Sequence, residues 1–97
     1  MSRLSEDDIH RWLASGDLPG WRFERGEIFK QYAFGSFVDA IAFINRIAEK
    51  AEAADHHPDL ENHYGRVRVG LHTWSENAVT DKDIALAREI ETVARAG

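Results

Sequence analysis

Apolar residues change spacing several times along the chain, and each change marks an element. Ile9, Trp12 and Leu13 recur at helical spacing behind Ser5-Glu6-Asp7-Asp8. That start resembles a capping box, and its acidic first turn suits the positive end of a helix dipole. Gly16 and Pro19 close this first helix. Trp21 and Phe23 then alternate with Arg22 and Glu24, the period-two signature of a strand. Arg25-Gly26-Glu27 supplies a turn, and Ile28 to Phe34 returns as a second strand. Ser36 caps the longest helix, with Asp39 at its third position. Phe37, Ile41, Ile44, Ala48 and Ala51 draw one apolar stripe along it, with Phe43 and Ile47 beside the stripe. His57 precedes Pro58, and a pre-proline residue avoids the α region, so this helix ends near Asp55. Leu60 to Tyr64 reads as a third strand, turning at Gly65 into a fourth. There Val67, Val69, Leu71 and Thr73 face one way, while Arg66, Arg68, Gly70, His72 and Trp74 face the other. Thr80-Asp81-Lys82-Asp83 caps a last helix carrying Ile84, Ala87, Ile90 and Val93.

The predicted order is α-β-β-α-β-β-α. Two hairpins separated by a helix favour a four-stranded antiparallel sheet with three helices on one face, an α+β two-layer sandwich. No linker, repeat or low-complexity run interrupts the 97 residues, which read as a single domain over 1–97. A composition that is 43% apolar, with three Trp, five Phe and two Tyr, supplies a real core. Domains of this size nevertheless often gain stability by oligomerising.

Charge and cysteine content narrow the chemistry. The chain has no cysteine, which excludes a disulfide framework and a thiolate metal site. A net charge of −5 argues against nucleic acid or an anionic membrane as the main partner. No apolar run approaches the ~20 residues needed to span a bilayer, and MSRLSEDDIH lacks the apolar core of a signal peptide. A soluble, cytoplasmic protein is the expectation.

The segment EAADHHPD, residues 52–59, is the most chemically distinctive. Adjacent His56 and His57 point apart as the chain becomes extended, whereas helical zinc histidines sit four residues apart; no metal site is expected. A polar helix end meeting solvent accounts for the pair in ordinary terms, because a cation near a helix C-terminus is favourable. Acid–base work is the alternative. Histidine is the side chain suited to moving protons near neutral pH, and Glu52 and Asp55 lie close enough to orient an imidazole. His63, His72, Trp74 and Asp83 add ionisable or hydrogen-bonding groups in the second β-β-α half.

Several segments together carry a resemblance. Trp21-x-Phe23, IFKQYAFGSF, FINRIAEKAE, DHHPD, a Tyr six residues after Pro58, and the T-x-x-D-I-x-L-A run from Thr80 closely resemble the pterin-4a-carbinolamine dehydratase family. The likeness runs from about Leu4 to Val93, in the family's order and without large gaps. It implies an α+β sandwich, and dehydration of 4a-hydroxytetrahydropterin to quinonoid dihydropterin, which recycles the cofactor of aromatic amino-acid hydroxylases. It implies no metal or organic cofactor. It also implies homodimers formed by extending the sheet edge to edge, and homotetramers formed through helix packing.

On the family's pattern His56 is the main acid–base group, and His57 binds or assists beside it. Asp55 touches or orients the pterin or a histidine, and Pro58 belongs to the same wall. His72, Thr73, Trp74 and Ser75 form the opposite wall, with Glu52 and Asp83 in support. Asp83 at the third position of a helix also serves as an ordinary capping carboxylate, Glu52 as an ordinary surface residue, and Trp21 as core. The chain departs from many members at Trp74, where they carry a third catalytic histidine. Indole stacks on a flat ring and donates one N–H but cannot relay a proton; His72 is the nearest replacement, roughly 7 Å away by strand rise. Relatives of the fold also serve as dimerisation cofactors of transcription factors and as Rubisco-assembly-like factors. A non-catalytic binding module is therefore the competing reading, against which the retained Asp-His-His-Pro argues.

Overall fold

Two tight turns organise the sheet. Arg25 and Gly26 both take positive φ, 53° and 79°, the left-handed pair that matches the twist of a two-residue hairpin. They join β1 (Arg22–Glu24) to β2 (Glu27–Ala33), with Glu24 facing Glu27. Tyr64, at φ 55°, and Gly65 join β3 (Asp59–His63) to β4 (Arg66–Leu71), where His63 faces Arg66. A Cβ on Gly65 would lie 2.5 Å from the Phe34 carbonyl oxygen, so the close approach of this turn to the end of β2 requires glycine. Strands β2 and β4 pair antiparallel, giving the order β1-β2-β4-β3 with β3 on one edge.

The computed structural model describes residues 3–96. Three helices complete the order α-β-β-α-β-β-α: α1 (Glu6–Ala14), α2 (Phe37–Ala54) and α3 (Asp81–Ala96). Ser5 accepts the Asp8 N–H and Ser36 accepts the Asp39 N–H, each at 3.1 Å, so the expected N-caps of α1 and α2 form. Ile28, Tyr32, Val67, Val69 and Leu71 turn one sheet face into the core. Against that face pack Ile9 of α1, Phe43 and Ile47 of α2, and Ile84, Ala87 and Ile90 of α3. No described helix is long and apolar enough to cross a membrane.

Two expectations change. The buried stripe of α2 is Ala40, Phe43, Ile47 and Ala51. Phe37 and Ala48 are exposed, and Ile41 and Ile44 are only half-buried. The apolar arc of α2 is wider than the sheet beneath it can cover, and the sheet takes the Phe43 side, where that ring packs on Tyr32 and Phe34. Secondly, β4 ends at Leu71 rather than continuing to Trp74. Thr73 bridges back to Ala78, and Trp74–Glu76 form a 3₁₀ turn.

The core also holds a charged centre. Glu91 of α3 is buried, and its Oε2 accepts from Trp21 Nε1 at 3.2 Å, from Lys30 Nζ at 2.7 Å, and from the Tyr32 hydroxyl. Burial alone would raise the Glu91 carboxyl, but the donations from Lys30, Tyr32 and Trp21 outweigh it and hold it below its ordinary value. Burial and the adjacent carboxylate push Tyr32 up. Trp21 is thus core, as expected, with its N–H satisfied.

Candidate active site

The histidine pair is delivered by a helix end. Asp55 takes φ 51°, ψ 43°, and the His56 N–H reaches back to the Ala51 carbonyl at 3.1 Å. This six-to-one closure terminates α2 in a Schellman arrangement. Its left-handed position normally belongs to glycine. Aspartate is among the few side chains that tolerate it. The reversal swings His56 inward and His57 outward before Pro58 starts the run into β3.

His56 points at the start of α3. Its Nε2 lies 2.5 Å from Oδ1 of Asp83, and Asp83 is fully buried. The second carboxylate oxygen accepts the Thr80 N–H at 2.9 Å and the Thr73 hydroxyl at 2.8 Å. Asp83 therefore caps its own helix and holds a histidine at once: the two roles distinguished in the sequence use different oxygens. His57 is exposed, and its Nε2 lies 2.5 Å from the exposed Glu52 Oε2. Each histidine thus has one carboxylate. Asp55 makes no side-chain hydrogen bond to either among the described residues.

A groove of ≈ 360 Å³ opens between the end of α2 and the segment leading into α3, a size suited to a small ring system. Asp55, His56, His57 and Pro58 line one side, and Thr73, Trp74 and Ser75 the other. Asp59 and Lys82 complete it and were not singled out in the sequence. Lys82 stands beside Asp83 in the first turn of α3, and no local pattern in the sequence marks it as a groove residue. Thr73 is buried with its hydroxyl turned to Asp83, which leaves less of it for a ligand than a wall residue would offer. Trp74 is 75% exposed, a free indole face at the rim. Behind His56, a second cavity of ≈ 310 Å³ lies between α2 and α3, with Leu86 and Lys82 in its wall.

His72 and His63 do not join the groove. His72 lines a neighbouring depression of ≈ 240 Å³ with Arg25 and Glu27, on the far side of Trp74. Its ring meets the indole edge-on at 4.9 Å between centroids. His63 ends β3 about 13 Å by strand rise from Asp59 and sits beside Glu61. No cluster of three or more His, Asp or Glu suited to a metal ion exists among the described residues.

The fold and this groove define a class. The chain belongs to the pterin 4 alpha carbinolamine dehydratase family, whose model matches residues 2–93. A relative from Acidobacterium capsulatum, provisionally named a pterin-4-alpha-carbinolamine dehydratase, is 42% identical over 96% of this chain and 99% of its own. One from Mycobacteroides abscessus, with the same provisional name, is 44% identical over 95% of this chain and 96% of its own. Among solved structures, a transcriptional coactivator/pterin dehydratase from Brucella melitensis superposes with a TM-score of 0.90 at 38% identity, covering 96% of this chain and 99% of that one. A pterin dehydratase-like protein described as a RuBisCO assembly factor in the alpha-carboxysome shares the fold, with a TM-score of 0.68 at 23% identity over 80% of this chain and 93% of its own.

Proposed function

We propose that this chain dehydrates 4a-hydroxytetrahydropterin to quinonoid dihydropterin by histidine acid–base catalysis, regenerating a form of the pterin that a reductase can recycle for an aromatic amino-acid hydroxylase. The observation that carries the reading is His56, held at 2.5 Å by the buried Asp83 at the wall of a pterin-sized groove. In the reaction the C4a–O bond breaks, an acid protonates the departing oxygen to give water, and a base removes the N5 proton. The N5 electron pair then forms the new N5=C4a bond. Two imidazoles in opposite protonation states can divide that work. His56 takes the principal proton-transfer role and His57 assists, with Trp74 stacking on the pterin and Asp55 and Ser75 contacting its edge.

The test is a dehydration assay on purified protein, with no metal or organic cofactor added and after dialysis against a chelator. A rate well above spontaneous dehydration is expected. Loss of activity that zinc restores would overturn the acid–base account. No rate above background would favour the second reading, a non-catalytic binding or assembly module on the same fold; one structural relative is named both a transcriptional coactivator and a pterin dehydratase, and another a RuBisCO assembly factor. In either case we expect a cytoplasmic protein, and separately a homodimer or homotetramer, which the exposed apolar flank of α2 and the edge position of β3 support.

A further inference from the structure

A directed chain of hydrogen bonds ends on Asp83. The Lys82 N–H lies 3.2 Å from the Thr80 hydroxyl oxygen, which lies 2.8 Å from that of Thr73, which in turn lies 2.8 Å from Asp83 Oδ2. A hydroxyl carries a single proton. With Thr73 donating to Asp83, Thr80 must donate to Thr73 and accept from Lys82. Every proton in the chain therefore points toward Oδ2, which the Thr80 N–H also reaches at 2.9 Å. Thr73, Thr80 and Asp83 are all buried, so water does not compete for these bonds. Oδ1 is left for His56 Nε2 alone.

We infer that Thr73 and Thr80 lock the Asp83 carboxylate so that neutral His56 exists as the Nε2–H tautomer, with Nδ1 as its proton-accepting atom. A carboxylate only accepts, so the short contact places the ring proton on Nε2. Nδ1 has no protein hydrogen-bond partner among the described residues, yet no buried side-chain nitrogen or oxygen there lacks one. Nδ1 is consequently open to the solvent side of the site. Thr73 and Thr80 act as positioning residues through Asp83. Only the catalytic consequence rests on the dehydratase reading; the tautomer can be measured without any activity.

The lock makes an unusual prediction for Asp83→Asn. Two donors, the Thr80 N–H and the Thr73 hydroxyl, still aim at the Oδ2 position, so the carbonyl oxygen of the new amide must sit there. Its NH₂ then faces His56, and Nε2 has to accept. The tautomer should invert to Nδ1–H, putting a proton where the lone pair is needed.

Long-range ¹H–¹⁵N correlation spectra of histidine-labelled protein, recorded where the rings are neutral, read the tautomer directly. His57→Gln and His56→Gln spectra assign the pair among the five histidines. The wild type should show Nε2–H, and Asp83→Asn should show Nδ1–H together with a kcat reduced ~10²-fold or more at nearly unchanged KM, as when an orienting carboxylate behind a catalytic histidine is neutralised. Thr73→Val should lower kcat about tenfold and Thr73→Ser should restore it, because only the hydroxyl matters. Nδ1–H in the wild type overturns the lock even if Asp83→Asn fails to fold. Retention of Nε2–H in a folded Asp83→Asn overturns it as well. Tautomer inversion with full kcat would support the lock and remove His56 from the proposed chemistry.

Discussion

His56 and Trp74 face one another across the groove with different abilities. His56 is nearly buried, and one of its nitrogens is committed to Asp83; Trp74 is largely exposed with its indole face free. If His56 transfers the proton, His56→Ala should lower kcat by ~10²-fold or more. Trp74→Phe should act mainly on KM, because a stacking contact made equally in ground and transition states contributes binding rather than rate. Trp74→His places an imidazole where many family members carry one and should keep or raise kcat. Steady-state kinetics on the three variants check the assignment: full kcat in His56→Ala with none in Trp74→Phe would reverse it. Much of this site was legible in the sequence, because Asp55-His56-His57-Pro58 is contiguous and Asp83 announces itself in a capping pattern. Thr80 was visible only as a cap. Its link to the histidine runs through an Asp83–His56 contact spanning 27 residues of chain, and no local pattern encodes that. His72 lies in the neighbouring depression rather than in the groove, and the alternation from Arg66 gives no sign that the backbone leaves the strand after Leu71 and turns into the 3₁₀ segment.

At the scale of elements, α3 is bound to the sheet by more than apolar contact. In β2, Lys30 lies in phase with the buried Ile28 and Tyr32, and in α3 Glu91 lies four residues after Ala87 and seven after Ile84. Strict phase counting would therefore have placed both charges in the core, where a lone charge is untenable and a pair with further donors is stable. Hydrophobicity patterning misses them because it scores a charged residue as exterior. The consequence is a pH-dependent stability. The folded-state pKa of Glu91 is lowered, so its contribution is fully present above the unfolded carboxyl value of about 4.3. That contribution is lost as pH falls below this value and through the folded one. Urea unfolding of the wild type should thus weaken between pH 5 and 3 by more than that of Glu91→Gln. At pH 7 the variant should itself be less stable by about 3 kcal/mol, since it leaves the Lys30 charge uncompensated among buried groups. Equal pH slopes for the two proteins would show that Glu91 is not the linked group. Core truncation should be costlier still at Phe43, which is fully buried between Tyr32 and Phe34. Phe43→Ala should cost about 3–5 kcal/mol, read in the same unfolding experiment.

For the whole molecule, element order and the cap and turn residues were enough to reach the α+β sandwich, because each hairpin has its own turn chemistry and each helix its own start. The order of strands in the sheet was not legible: pairing of β2 with β4, which puts β3 on the edge, depends on contacts between distant segments. What the helices leave uncovered was only half legible. The sequence placed Phe43 and Ile47 beside an already full apolar stripe on α2, and the structure identifies the surplus as Phe37 and Val38, exposed at 47% and 74%, with Ile41 and Ile44 half-buried behind them. An exposed apolar helix flank and an open strand edge are each a liability for a monomer and an asset for an oligomer. Sedimentation velocity at micromolar concentration should therefore show a species well above the 11.0 kDa chain. Val38→Glu discriminates the surface used. Val38 touches solvent rather than core, so the substitution should change unfolding free energy by no more than about 0.5 kcal/mol. A charge buried in a helix-to-helix contact, by contrast, should split the assembly to a smaller species. If the variant keeps the wild-type mass, α2 is not the contact and the β3 edge becomes the surface to disrupt. If the wild type itself sediments as an 11.0 kDa particle, the exposed flank needs another explanation.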